Sequence, residues 1–155
     1  MAKATVHATA ISIDGHGVLI RGNSGAGKSD IALRLLHAGD CGSGWPGSTR
    51  WVQLIADDRV ELEARNGRLI AAPPAAIAGL IEVRGIGIVS LPFVSDIEIA
   101  LVVDLVEPHV VPRMAPEPKE MQVEILGIGL PGVALAAFEA SAPLKVLVAV
   151  RQFCR

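Results

Sequence analysis

Tyrosine is missing from this chain, and three Phe and two Trp make aromatic residues only 3% of its 155 positions. Proteins that hold single-stranded nucleic acid stack bases on aromatic rings, so the composition argues against that class. A basic excess is also lacking: 14 Lys and Arg stand against 16 Asp and Glu, a net charge of −2, which offers no footprint for nucleic acid or an anionic membrane. Apolar runs long enough to span a bilayer are absent. The longest, Ile97 to Val106, is broken by Glu98 and Asp104. The first residues, Met1 to His7, lack the continuous apolar stretch of a secretory signal. Cysteine is scarce too. Cys41 and Cys154 make neither a disulfide framework nor a metal-binding spacing, and reduced thiols in a cytoplasmic protein are expected.

Hydrophobic residues make up 51% of the chain and charged residues 19%, which is globular rather than disordered. With so few aromatics the core must be built from Val, Leu, Ile and Ala. Thr5 to Ile13 alternates and is rich in β-branched residues, predicting one strand; Asp14-Gly15-His16-Gly17 turns the chain into a short apolar strand, Val18 to Ile20. From Ser29, apolar Ile31, Ala32, Leu35 and Leu36 recur at helical spacing, with Gly39 as a stop. Cys41 to Arg50, with three Gly, two Ser and a Pro, reads as a flexible loop. Val52 to Ala56 is a buried strand. Val60 to Arg65 and Arg68 to Ala72 form a hairpin around Asn66-Gly67. Ile97 to Val106 is a further, central strand. Pro108, Pro112, Pro116 and Pro118 mark an irregular stretch, and Pro143 to Phe153 a closing helix. The fold expected is α/β: a P-loop domain with a mixed, largely β core and a helix packed on it.

Between the second strand and the first helix lies Gly22-Asn23-Ser24-Gly25-Ala26-Gly27-Lys28-Ser29. Glycines let successive backbone N–H groups turn inward around phosphate oxygens, and the helix that follows adds its positive end. Lys28 can then reach β- and γ-phosphates, and the Ser29 hydroxyl can ligate Mg²⁺. Strand, glycine loop and helix follow in the order the motif requires. A glycine-rich turn that binds nothing would not need that context.

A phosphate loop needs a carboxylate close by. Asp57-Asp58 ends the strand Val52 to Ala56, where it would be delivered beside the loop, one carboxylate holding the metal shell and the other acting as a base. Alone, such a pair is more often turn chemistry. Farther on, Ile81-Glu82-Val83-Arg84-Gly85-Ile86-Gly87-Ile88-Val89 combines a charged pair with closely spaced glycines. Glu82 could be a metal ligand and Arg84 a phosphate or structural partner; the plainer reading is a surface ion pair before a bend.

Together these stretches resemble the catalytic domain of HPr kinase/phosphorylase, the bifunctional serine kinase of the bacterial phosphotransferase system. The matching features run in order: His7, fifteen residues before Gly22; the glycine loop, with Lys28-Ser29-Asp30 leading into Ala32-Leu33; Leu54 to Val60 around the acidic pair; and Glu82 to Ile88. The resemblance implies an enzyme that binds ATP and Mg²⁺ and phosphorylates a serine of HPr or an HPr-like carrier. It implies Lys28 on the phosphates, Ser29 and Glu82 on the metal, His7 as an active-site histidine, and a base from the acidic pair: Asp58 is favoured, with Asp57 supporting, although spacing does not separate the two. Hexameric assembly also comes from the resemblance.

The match departs from the family in several places. On this resemblance residues 1–155 are expected to be the catalytic domain without the family's separate N-terminal domain, as in the short form typical of alphaproteobacteria. Cys41 to Arg50 reads as an insertion. Arg113 is the best candidate for the family's catalytic arginine. The segment linked to dephosphorylation usually carries an arginine, whereas Gly127-Ile128-Gly129-Leu130-Pro131-Gly132 has none, which favours kinase over phosphorylase activity. The competing classes are a P-loop kinase of small molecules and a non-catalytic nucleotide sensor.

Overall fold

The computed structural model describes residues 2–40, 51–117 and 119–154. The proposed loop at 41–50, Cys41 within it, and Pro118 lie outside the described residues. Among the described residues no helix is long and apolar enough to cross a membrane.

A mixed sheet carries the fold. Its strands are β1 (Lys3–Val6), β2 (Thr9–Ile13), β3 (His16–Arg21), β4 (Val52–Ala56), β5 (Val60–Arg65), β6 (Arg68–Ala72), β9 (Ile97–Leu105), β10 (Gln122–Ile125) and β11 (Ile128–Leu135). They run β1-β5-β6-β9-β3-β2-β4, with β11 joined to β9 and β10 to β11. A separate two-stranded ribbon pairs β7 (Leu80–Val83) with β8 (Gly87–Ser90). As expected, β9 is central: β3 and β11 both run parallel to it, and β6 meets its start antiparallel.

The apolar residues of β2, β3 and β9 serve two faces. Ile11, Ile13, Val18, Ile20, Leu101 and Val103 pack on one side with Ile31 and Leu35 of helix α1 (Lys28–Asp40) and Val146 and Val150 of α2 (Ala142–Phe153). Ala10, Leu19 and Val102, which alternate with them, pack on the other side with Ile55, Leu62 and Leu69. A strand buried on both faces reads as continuously apolar, which is why Val18 to Ile20 shows no alternation. Each such Leu or Ile contributes about 1.5–3 kcal/mol by leaving water. The Asn66-Gly67 hairpin forms as the sequence predicts: both residues have positive φ, +52° and +75°, as the primed two-residue turn demands.

Three expectations change. The single strand Thr5 to Ile13 is two strands, because the chain leaves β5, the partner of β1, and joins β3 and β4 through β2. The break falls at His7-Ala8, where the Ala8 N–H donates to the Asp58 carbonyl at 3.2 Å. Helix α1 runs to Asp40, one residue past Gly39, since a glycine lowers helix stability without forbidding the conformation. The Glu82-Arg84 segment is neither plain strand nor ion pair: it is one arm and the turn of the β7–β8 ribbon, and among the described residues no ion pair joins the two side chains. The 108–117 stretch is irregular apart from one 3-10 turn at Pro108–Val110.

Candidate active site

Strand β3 ends at Arg21 and hands the chain to the glycine loop, which enters α1 at Lys28. The turn is tight: the Ala26 N–H donates to the Asn23 carbonyl at 2.9 Å. Gly22 lies so close to its neighbours that a Cβ there would fall 2.9 Å from the Ala26 Cβ and 3.2 Å from the Leu105 Cβ. The start of the loop is anchored by Arg21, which donates to both oxygens of Asp104 at 2.7 and 2.9 Å. That two-pronged contact raises the pKa of Arg21 above its ordinary value.

Lys28 is 7% exposed, and its ammonium donates to the carbonyls of Gly22 at 2.7 Å and Asn23 at 3.2 Å. Among the described residues no ion pair joins it to a carboxylate, and its charge rests on these carbonyls.

The acidic pair divides sharply. Asp57 is 4% exposed and accepts three hydrogen bonds: from the Thr9 hydroxyl at 2.9 Å and the Ser29 hydroxyl at 2.7 Å on one oxygen, and from the Glu82 N–H at 3.2 Å on the other. Asp58, one peptide on, has a side chain 66% exposed, hydrogen-bonded to His7 Nε2 at 2.8 Å. The chain turns between them. Asp58 has φ +69°, and the Arg59 N–H donates back to the Asp57 carbonyl at 2.8 Å, a γ-turn of the rare positive-φ kind. Positive φ is unfavourable for a residue with a Cβ, and such strain is characteristic of functional positions.

An open cleft of about 510 Å³ lies over the loop. Of the residues singled out in the sequence, His7, Lys28, Ser29, Asp58 and Glu82 line it together with Ser24, Gly25 and Gly27, and Asp57 lies buried beneath. Arg113 does not line it; it is exposed in the irregular 111–117 stretch, whereas Arg84 stands in the cleft. Two cleft features escaped the sequence reading. Thr9 looks like one more β-branched strand residue, and only the pairing of β2 with β4 brings its hydroxyl to Asp57. Phe138 also lines the cleft, with nothing around it in the sequence to set it apart beyond being one of few aromatics.

The residues present suit a magnesium ion brought in by a nucleotide. A buried carboxylate is normally paired or metal-bound, and Asp57 has no cationic partner among the described residues. Ser29 stands beside it. No cluster of three or more His, Cys, Asp or Glu that could hold a metal exists among the described residues. Mg²⁺ commonly takes one or two protein ligands and fills the rest of its shell with phosphate oxygens and water.

A strand parallel to central β9 leads through a glycine loop into a helix, with a buried acid beside the first hydroxyl of that helix, so the domain is of the mixed α/β class and has the layout of a P-loop. Within that class, residues 1–151 match the family described as HPr Serine kinase C-terminal domain, and the chain belongs to it. It is similar to HPr kinase/phosphorylase of Clostridium tetani, 32% identical over 126 residues, which is 81% of this chain and 37% of that protein. It is also similar to HPr kinase/phosphorylase of Brevibacillus brevis, 36% identical over 115 residues, 68% of this chain and 33% of that one. The chain thus spans about a third of the length of these relatives. The solved structure of the Hpr(Ser) kinase/phosphatase from Coxiella burnetii superimposes with a TM-score of 0.75 at 31% identity, covering 96% of this chain and 95% of the other. The expected β-rich α/β fold is therefore borne out.

Proposed function

We propose that this domain is a Mg·ATP-dependent serine kinase whose substrate is HPr or an HPr-like carrier protein. The observation that carries this reading is the divided acid pair: a buried, fully hydrogen-bonded Asp57 beside Ser29, and an exposed Asp58 in contact with His7 within one cleft. The family membership and the relatives' names supply the carrier and the serine.

In this reading the loop amides and Lys28 bind the phosphates, and Arg84, in the same cleft, meets charge on the transferring group. Magnesium, held by Ser29 and Asp57 with Glu82 beside them, would neutralise charge on the β- and γ-phosphate oxygens. Asp58 takes the proton from the substrate serine as its oxygen bonds to the γ-phosphorus and ADP leaves. His7 orients Asp58 through their hydrogen bond. The mechanism gives no step to Arg113. In phosphorolysis, inorganic phosphate would attack the phosphorus of phosphoserine, pyrophosphate would form and the serine oxygen would leave, taking its proton from Asp58, so the same groups would serve with acid and base exchanged.

The test is to incubate the protein with Mg·ATP and purified HPr and to locate added phosphate by mass. Transfer to one serine is expected. Lys28→Ala should abolish it with the melting curve intact, and Asp58→Asn should slow it by about 10²–10⁴, the usual range for losing a general base. Transfer by Lys28→Ala at the parental rate, or ATP turnover stimulated by small metabolites but never by a carrier, would overturn the proposal.

A further inference from the structure

The sheet gives the glycine loop two sides. From β3, one side passes through β2 to β4 and the acid pair; the other passes through β9 to β11. The segment that leaves β11 reaches the loop from this second side. A Cβ built on Gly27, whose φ is +98°, would fall 2.9 Å from the Ala137 Cβ and 3.0 Å from Phe138 Cζ. The ring edge of Phe138 therefore lies directly against the loop.

This segment is firmly tied down. Ala136 and Ala137 are each 3% exposed. Arg34, on the helix that follows the loop, donates to the carbonyls on both sides of Phe138: to Ala137 through Nη2 and to Glu139 through Nη1 at 3.1 Å. Asp30 holds the same guanidinium at 2.9 Å, and Lys145 holds the Glu139 carboxylate at 2.7 Å. Between the two clamped carbonyls Phe138 is 72% exposed and faces the cleft. A rigid backbone presenting a bare aromatic ring into a polar cleft is what a flat apolar ligand group requires.

The proposed chemistry fixes which group that is. The transferring phosphoryl must lie on the side of Asp58, so the unreactive end of the nucleotide leaves the loop on the opposite side. We infer that Phe138 is the platform for the nucleobase, a specificity-determining contact, and that Arg34 is the positioning residue that holds it. The inference rests on the Mg·ATP reading above.

Binding of Mg·ATP and of Mg·tripolyphosphate, which has no base, separates the two ideas when both are titrated calorimetrically into the full chain. Phe138→Ala should weaken Mg·ATP about tenfold, within the range for losing one base–aromatic stack, and leave Mg·tripolyphosphate unchanged. Phe138→Trp should restore ATP affinity. Lys28→Ala should weaken both ligands, and thermal melts should show each variant folded. Unchanged ATP affinity in Phe138→Ala overturns the inference while leaving the kinase reading in place. Equal weakening of both ligands also overturns it, because the ring would then be shaping the loop. A parent protein that binds neither ligand sinks both.

Discussion

The γ-turn at Asp58 sets stability against activity, and Asp58→Gly measures the conflict. A positive φ costs a residue with a Cβ about 1–2 kcal/mol, and Asp58 sits at +69°. Its side chain is two-thirds exposed, so truncation forfeits little burial, and its contact with His7 is a solvent-screened pair of small net worth. Glycine removes the strain but adds about 0.4–1 kcal/mol of unfolded-state entropy. The balance is a gain of about 0.5–1 kcal/mol, which for a chain of this size raises Tm by about 1–4 °C. Asp58→Ala is the control: it loses the carboxylate and keeps the Cβ. Both variants should lose phosphoryl transfer, yet the glycine variant should be the more stable by about 1 kcal/mol in urea unfolding and thermal melts. If Asp58→Gly is no more stable than Asp58→Ala, the strain argument is wrong.

Two further outcomes follow from buried polar atoms. Thr9→Val removes a buried donor to a carboxylate, so it should cost about 1.5–3 kcal/mol, while the same change at exposed Thr5 should stay within about 0.5 kcal/mol; equal urea midpoints for the two variants would refute the assignment. Burial pushes the half-buried Cys154 thiol above its ordinary value, so the folded chain keeps its proton to higher pH than the unfolded one. The stability this contributes is whole at neutral pH and declines as pH rises through the folded value. Iodoacetamide at mildly alkaline pH should therefore label Cys154 more slowly in the native chain than in urea, read by peptide mass, and equal rates would contradict it.

Local chemistry made much of this legible in the sequence. Asn66-Gly67 announces its turn because few other pairs tolerate two positive φ angles in succession, and Val52 to Asp58 reads as a strand ending in acids because strand and acids adjoin. The break at His7-Ala8 was not legible, since it is a choice of partners made 39 to 60 residues away: β1 follows β5, β2 follows β4. The β10–β11 pair was missed for a related reason. Gly127, Gly129, Pro131 and Gly132 look like loop, but Gly127 lies in the turn between the strands, and Gly132 sits where a Cβ would strike Val123 of the neighbouring strand. The Thr9–Asp57 and Arg34–Phe138 relations join residues 48 or more positions apart and leave no local trace.

Asp57 and Asp58 also have a consequence for how such a protein changes over time. One peptide bond separates an acid locked into the interior from an acid standing in water. On the inner side, Thr9 and Asp57 are held at once by their buried hydrogen bond and by the chemistry proposed for the site, so almost any replacement is punished twice. Those on the outer side, His7, Asp58 and Arg84, with Ile86 and Ile88 bare on the neighbouring ribbon, bear little on the core. On the proposed chemistry a change at His7, Asp58 or Arg84 costs activity and not the fold, whereas a change at Ile86 or Ile88 touches neither, so a lineage could vary the bare face of the ribbon with both acids carried forward untouched.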